Sequence, residues 1–185
     1  MLCAISVAPV HATADPTSDP RHDPKLRTLL KHAVTDAASF DDRFEAEVWL
    51  VDMSARLAKK VPDDAERIEL LKLVHREAAR ANLPPELVLA VIDIESNFDR
   101  FAISYAGALG MMQIMPFWLD EIGRPDDNLF HLPTNLRMGC TILRYYLDME
   151  NGNLAPGLAR YNGSYGRRVY SDKVLNRLRD RWYRR

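Results

Sequence analysis

Apolar residues recur along almost the whole chain at the three- and four-residue spacing of an amphipathic helix. Over 25–38, Leu26, Leu29, Leu30, Ala33, Val34 and Ala37 fall on one stripe. A second stripe, Phe44, Val48, Val51, Ala55 and Ala58, predicts a helix over 42–60 that starts after Ser39. It ends at Val61-Pro62, because a proline disfavours helix in the residue before it. A third helix, 63–81, opens with Asp63 and Asp64 at its positive end and stops at Asn82. Further helices are predicted over 84–97, 115–122, 133–150, 154–161 and 169–183. No run sustains the alternation of a strand, and there is no internal repeat. The fold class is all-α.

Composition narrows the picture mainly by exclusion. The 185 residues are 47% hydrophobic and 28% charged, ordinary values for a soluble globular protein. A chain of this length buries roughly 70% of its unfolded surface, so it needs no metal or disulfide to hold it. No apolar stretch reaches the ~18 residues of a membrane-spanning helix. Cys3 and Cys140 are too few for a disulfide scaffold or a multi-cysteine metal site, and Cys140 reads as core. His11, His22, His32, His75 and His131 form no ligand spacing, and no phosphate-binding glycine loop is present. No metal or cofactor is implied. The net charge of −1 argues against nucleic acid as a partner.

Two stretches of the chain stand out. Residues 2–10 are apolar and are followed by Ala12-Thr13-Ala14, an A-x-A cleavage signal, so 1–22 read as the back half of a secretory signal peptide plus a proline-bearing linker. No basic residue precedes Arg21, which suggests a true start further upstream. At the other end, residues 167–185 hold eight Lys or Arg against Asp172 and Asp180. Such a basic tail either meets an anionic polymer or is the solvated face of a helix.

The chemistry centres on the helix that begins Pro84-Pro85. Val88, Val91 and Glu95 share one face, so the Glu95 carboxylate projects from apolar surroundings, which would raise its pKa and suit it to general acid work. Glu86 and Asp93 are expected on the opposite, water-facing side. From this helix alone, a general acid and a core glutamate paired with arginine fit equally well. The next segment, Gly107 to Pro116, is rich in glycine and methionine, with Gln113 able to hydrogen-bond a neutral polar ligand. Ala159-Arg160-Tyr161-Asn162-Gly163 adds an aromatic and an amide, groups that suit the faces and edges of sugar rings.

Glu95-Ser96-x-Phe98, then Gly107-Ala108-Leu109-Gly110-Met111-Met112-Gln113-Ile114-Met115-Pro116, then Ala159-Arg160-Tyr161-Asn162-Gly163 closely resemble the soluble lytic transglycosylase family. This is the goose-type-lysozyme-like group of peptidoglycan-cleaving enzymes. Asn135, Gly139 and Tyr146-Leu147 match that family's intervening N-x-x-x-G and Y-L helix. The resemblance spans about residues 83–170. Met111 in place of leucine, and Arg160 before Tyr161, depart from the usual wording; Arg160 reads as a helix-surface residue.

The resemblance implies a lysozyme-like catalytic domain over 83–185 with a basic C-terminal helix, behind a helical extension over 23–82. It implies Glu95 as the sole catalytic acid, then base, cleaving between N-acetylmuramic acid and N-acetylglucosamine with a 1,6-anhydromuramoyl product. Ser96 and Tyr161 would hydrogen-bond and orient Glu95 or stabilise the transition state, Ser96 having a helix-surface hydroxyl as its alternative reading. Gln113, Met112, Met115 and Asn162 would bind substrate, with Gly110 giving the backbone room. The implied partners are peptidoglycan glycan strands and a cell-wall or secretion-complex protein, for a monomer exported to the periplasm or cell envelope. A water-using muramidase and a non-catalytic wall-binding protein are the competing readings.

Overall fold

A computed structural model of the chain describes residues 43–183; the leader and the helix expected over 25–38 lie outside them. Seven helices follow in order among the described residues: α1 (Arg43–Leu57), α2 (Asp64–Arg80), α3 (Pro85–Glu95), α4 (Trp118–Ile122), α5 (Leu132–Met149), α6 (Leu154–Tyr161) and α7 (Val169–Arg177). A π-helical turn, Leu178–Trp182, continues α7. The all-α reading holds: among the described residues β pairing is limited to two isolated bridges, Ile103 with Leu109 and Leu109 with Ile114.

The helix ends follow their local chemistry. Asp63 caps α2 by accepting the Glu66 N–H at 2.8 Å, and Asn82 beyond its end takes a left-handed φ of 52°. Pro85 sits in the first turn of α3, where no N–H is needed. In α1 the expected inward stripe is wrong. Phe44 is 74% exposed, whereas Ala46, Trp49, Leu50, Met53 and Leu57 are buried. Both stripes have helical spacing, and the one carrying Trp49, two leucines and Met53 removes more apolar area from water.

α3 is the axis of the fold. Leu87 through Asp93 are all buried, with α2, α7 and the π turn packed around them. One apolar core runs from Ala46 on α1 to Trp182 on the π turn. Extra backbone in that turn swings Trp182 fully inside, against Phe98 at 5.5 Å between ring centres.

This crowding corrects the expectation for Asp93, which is buried and does not face water. Its carboxylate accepts from Lys60 Nζ at 2.6 Å, Arg177 Nη1 at 2.9 Å and Trp182 Nε1 at 3.0 Å, with Arg181 at 3.8 Å. It thereby ties α3 to the turn after α1, to α7 and to the π turn. Glu86, half-buried, accepts the Trp49 indole N–H at 2.8 Å, a link from the start of α3 to α1.

Candidate active site

Glu95 is the last residue of α3, and its half-buried carboxyl opens on a cleft of about 460 Å³. Among the described residues Ile94, Asn162, Ser164, Arg167, Val169, Tyr170 and Lys173 complete the lining, with Glu95 as the single acidic side chain. Burial raises the pKa of Glu95 above its ordinary value, while hydrogen bonds from Tyr170 and Asn162 pull it partly back. The Tyr170 hydroxyl donates to Glu95 Oε1 at 2.6 Å. Burial first, and then the Glu95 charge, push the Tyr170 pKa well above its usual value, so this hydroxyl keeps its proton and remains a donor.

The loop Gly107–Pro116, the second of the segments singled out in the sequence, is held by an asparagine. Asn135 on α5 accepts the Met112 N–H at 2.8 Å and donates to the carbonyls of Leu109 and Leu129 at 2.9 and 2.8 Å. The Tyr161 hydroxyl donates to the Met112 carbonyl at 2.7 Å, so that peptide is gripped from two sides. Gly139, one turn after Asn135 on the same face, leaves the space Met112 fills; a Cβ there would meet the Met112 Cβ at 2.8 Å. Gln113 holds a left-handed φ of 52° and donates to the Gly110 carbonyl at 2.9 Å and that of Ala102 at 3.2 Å. Left-handed conformations in non-glycine residues persist only where their surroundings fix them.

Several expected roles change in this geometry. Ser96 does not touch Glu95; its hydroxyl donates to the Ile92 carbonyl at 3.2 Å, one turn back. Tyr161 bonds Met112, and the phenol on Glu95 is Tyr170. The Met112 side chain is fully buried, so it supports the loop from beneath instead of lining a subsite. Gly110, with φ 75°, makes room for the protein itself: a Cβ there would lie 2.7 Å from the Leu129 carbonyl oxygen. Asn162 does line the cleft, while Gln113 and Met115 are half-buried on the loop.

Tyr170 was not singled out from the sequence, because it falls beyond the matched motifs. The usable signal was its spacing: Tyr170 and Val174 are one helical turn apart and both buried. Arg160 ion-pairs with Glu150 and stacks over the Tyr165 ring at 3.8 Å, in keeping with a structural role. Cys140 is buried, its thiol pushed up to about 12, chiefly by burial, and so is no nucleophile near neutrality. Among the described residues no cluster of His, Cys, Asp or Glu could hold a metal ion.

Residues 72–176 match the family model described as transglycosylase SLT domain. Membrane-bound lytic murein transglycosylase C of Actinobacillus pleuropneumoniae is 42% identical over 48 residues, 26% of this chain and 13% of that protein. Its namesake from Haemophilus influenzae is 32% identical over 88 residues, 40% of this chain and 25% of that protein. The matches thus span a quarter or less of these two relatives' lengths. Among solved structures, lytic transglycosylase Slt of Pseudomonas aeruginosa aligns with 84% of this chain and 34% of its own, at 22% identity and a TM-score of 0.48. The 70 kDa soluble lytic transglycosylase of Escherichia coli aligns with 94% and 33%, at 22% identity and a TM-score of 0.46.

Proposed function

Because the chain belongs to the transglycosylase SLT domain family, we propose that it is a lytic transglycosylase that cleaves peptidoglycan glycan strands, with Glu95 as both acid and base. The observation that carries this reading is a half-buried carboxyl with a raised pKa in a cleft where no second acid lies among the described lining residues. Such a group still carries its proton nearer neutrality than an exposed glutamate does, as protonation of a leaving oxygen requires.

The reaction follows from one group working twice. Glu95 gives its proton to the glycosidic oxygen between N-acetylmuramic acid and N-acetylglucosamine, and the bond to the anomeric carbon breaks. Hydrogen bonds from Tyr170 and Asn162 stabilise the carboxylate left behind. That carboxylate takes the proton of the muramoyl 6-hydroxyl as its oxygen closes on the anomeric carbon. The product carries a 1,6-anhydro ring, Glu95 ends protonated as it began, and no water is consumed.

A two-carboxylate hydrolase would need a partner about 5–9.5 Å away. Asp93 is occupied by cations and the Trp182 indole. Asp99 spends an oxygen on the Phe101 N–H at 2.8 Å and is not among the lining residues. Mass spectrometry of peptidoglycan digested by the protein tests the reading: anhydromuramoyl ends support it, and reducing muramoyl ends overturn it. The same reading places the protein as a monomer in the periplasm or exported envelope space, with 83–185 as catalytic domain, 23–82 as helical extension and a wall or secretion-complex partner. In this reading Gln113 and Met115 join Asn162 in contacting sugar, while Ser96 and Tyr161 support the acid indirectly.

A further inference from the structure

The basic excess of the C-terminal segment is largely consumed by acids of the same fold. Arg168 pairs with Asp172 at 2.9 Å and Arg179 with Asp180 at 2.8 Å, while Arg177 and Arg181 converge on Asp93. Among the described residues two cations of this segment are left over. Arg167 and Lys173 are exposed, and neither side chain makes a hydrogen bond or ion pair among the described residues. Both line the Glu95 cleft.

Their placement is built into the backbone. The Arg167 N–H donates to the Ser164 carbonyl at 2.9 Å, which fixes the turn ahead of α7. Lys173 follows Tyr170 by three residues, so the two share a face of α7. The Glu95 oxygen nearest that helix already accepts from Tyr170. The cleft therefore presents a guanidinium and an ammonium that pair neither with Glu95 nor with any other described acid.

We propose that Arg167 and Lys173 form an anion subsite that takes a carboxylate carried by the glycan, so that strands bearing free carboxylates are favoured over neutral ones. The inference rests on the glycan-cleaving function proposed above. Peptidoglycan supplies this chemistry at every second sugar, whose lactyl group either ends in a free carboxylate or continues into a peptide with carboxylates of its own. A uniform N-acetylglucosamine polymer has the same backbone linkage and none of that charge.

The test measures initial rates on three forms of one peptidoglycan at low salt. One form is intact, one is stripped of stem peptides by an amidase, and one has its carboxyls converted to neutral amides. In the Arg167→Gln/Lys173→Gln double variant, KM on the intact form rises about three- to tenfold, the range expected for two exposed charge contacts, with kcat nearly unchanged. KM on the amidated form stays at the wild-type value, and high salt erases the difference on the intact form. A rise on the stripped form as well assigns the anion to the lactyl group; a rise on the intact form alone assigns it to the peptide. An unchanged KM on intact and stripped forms, or an equal rise on the amidated one, overturns the subsite. If Glu95→Gln cleaves all three forms at the wild-type rate, the glycan-cleaving reading falls and takes the subsite with it. Glu95-dependent cleavage that is blind to substrate charge removes the subsite alone.

Discussion

Asp93 and Glu95 stand two residues apart on one helix and are given opposite surroundings. Asp93 is sealed from solvent and ringed by Lys60, Arg177, Arg181 and the Trp182 indole. Glu95 keeps an open side and receives only neutral donors, a phenol and an amide. Cations that compensate a buried charge make Asp93 a clamp between elements. Among the described residues no cation pairs directly with Glu95, although Arg167 and Lys173 line the same cleft, and the cost of burial is left to act on its proton. The location of the cations, more than the degree of burial, separates the structural carboxylate from the reactive one.

Exchanging the roles of these two residues is the strongest way to break that comparison. Glu95→Gln keeps the shape and removes the acid, so peptidoglycan cleavage falls at least ~10³-fold while the melting temperature holds or rises. Dye-release from labelled cell wall and a thermal melt measure the two together. Asp93→Ala strands three partly buried cations and costs about 3 kcal/mol of stability by urea denaturation. The reverse pattern, Glu95→Gln unfolding the protein and Asp93→Ala merely inactivating it, would contradict the division.

Smaller changes sharpen it. Gly139→Ala drives a methyl group into Met112 and is expected to cost about 1–3 kcal/mol, with looser protection of the Gly107–Pro116 amides in hydrogen exchange. Tyr170→Phe deletes the donor to Glu95 and slows cleavage roughly tenfold. Because that hydrogen bond lowers the Glu95 pKa, its loss raises the pKa further. The alkaline limb of the pH–rate profile, where the acid loses its proton, then moves to higher pH.

The smallest effect is on stability itself. With its pKa raised in the folded state, Glu95 binds more proton folded than unfolded between its ordinary and raised values. Stability therefore declines as pH rises through that window. Urea midpoints across the window should flatten in Glu95→Gln.

Much of this was legible in the residues. Glu95 announces itself by sharing a face with Val88 and Val91, and Asn135 and Gly139 by lying one turn apart, which lets both address the same loop. The boundaries of α6 fall at Leu154 and Tyr161, as the periodicity predicts. What escaped depends on partners distant in sequence. The middle of α3, Leu87 to Asp93, is buried on every face, so the spacing was misleading about Asp93, while Glu86 near the helix start is half-buried. Met112 and Gly110 carry their part through backbone and packing, which a motif read as ligand contacts does not distinguish. Tyr170 reaches Glu95 across 75 positions, a separation only the fold can close.

The most direct measurement is the titration of the Glu95 carboxyl by NMR in protein labelled with ¹³C at the glutamate side-chain carbonyl, its signal assigned by its loss in Glu95→Gln. The account predicts one carboxyl titrating clearly above the exposed glutamates, and higher still in Tyr170→Phe. A Glu95 signal that titrates with those glutamates and does not respond to Tyr170→Phe would contradict it.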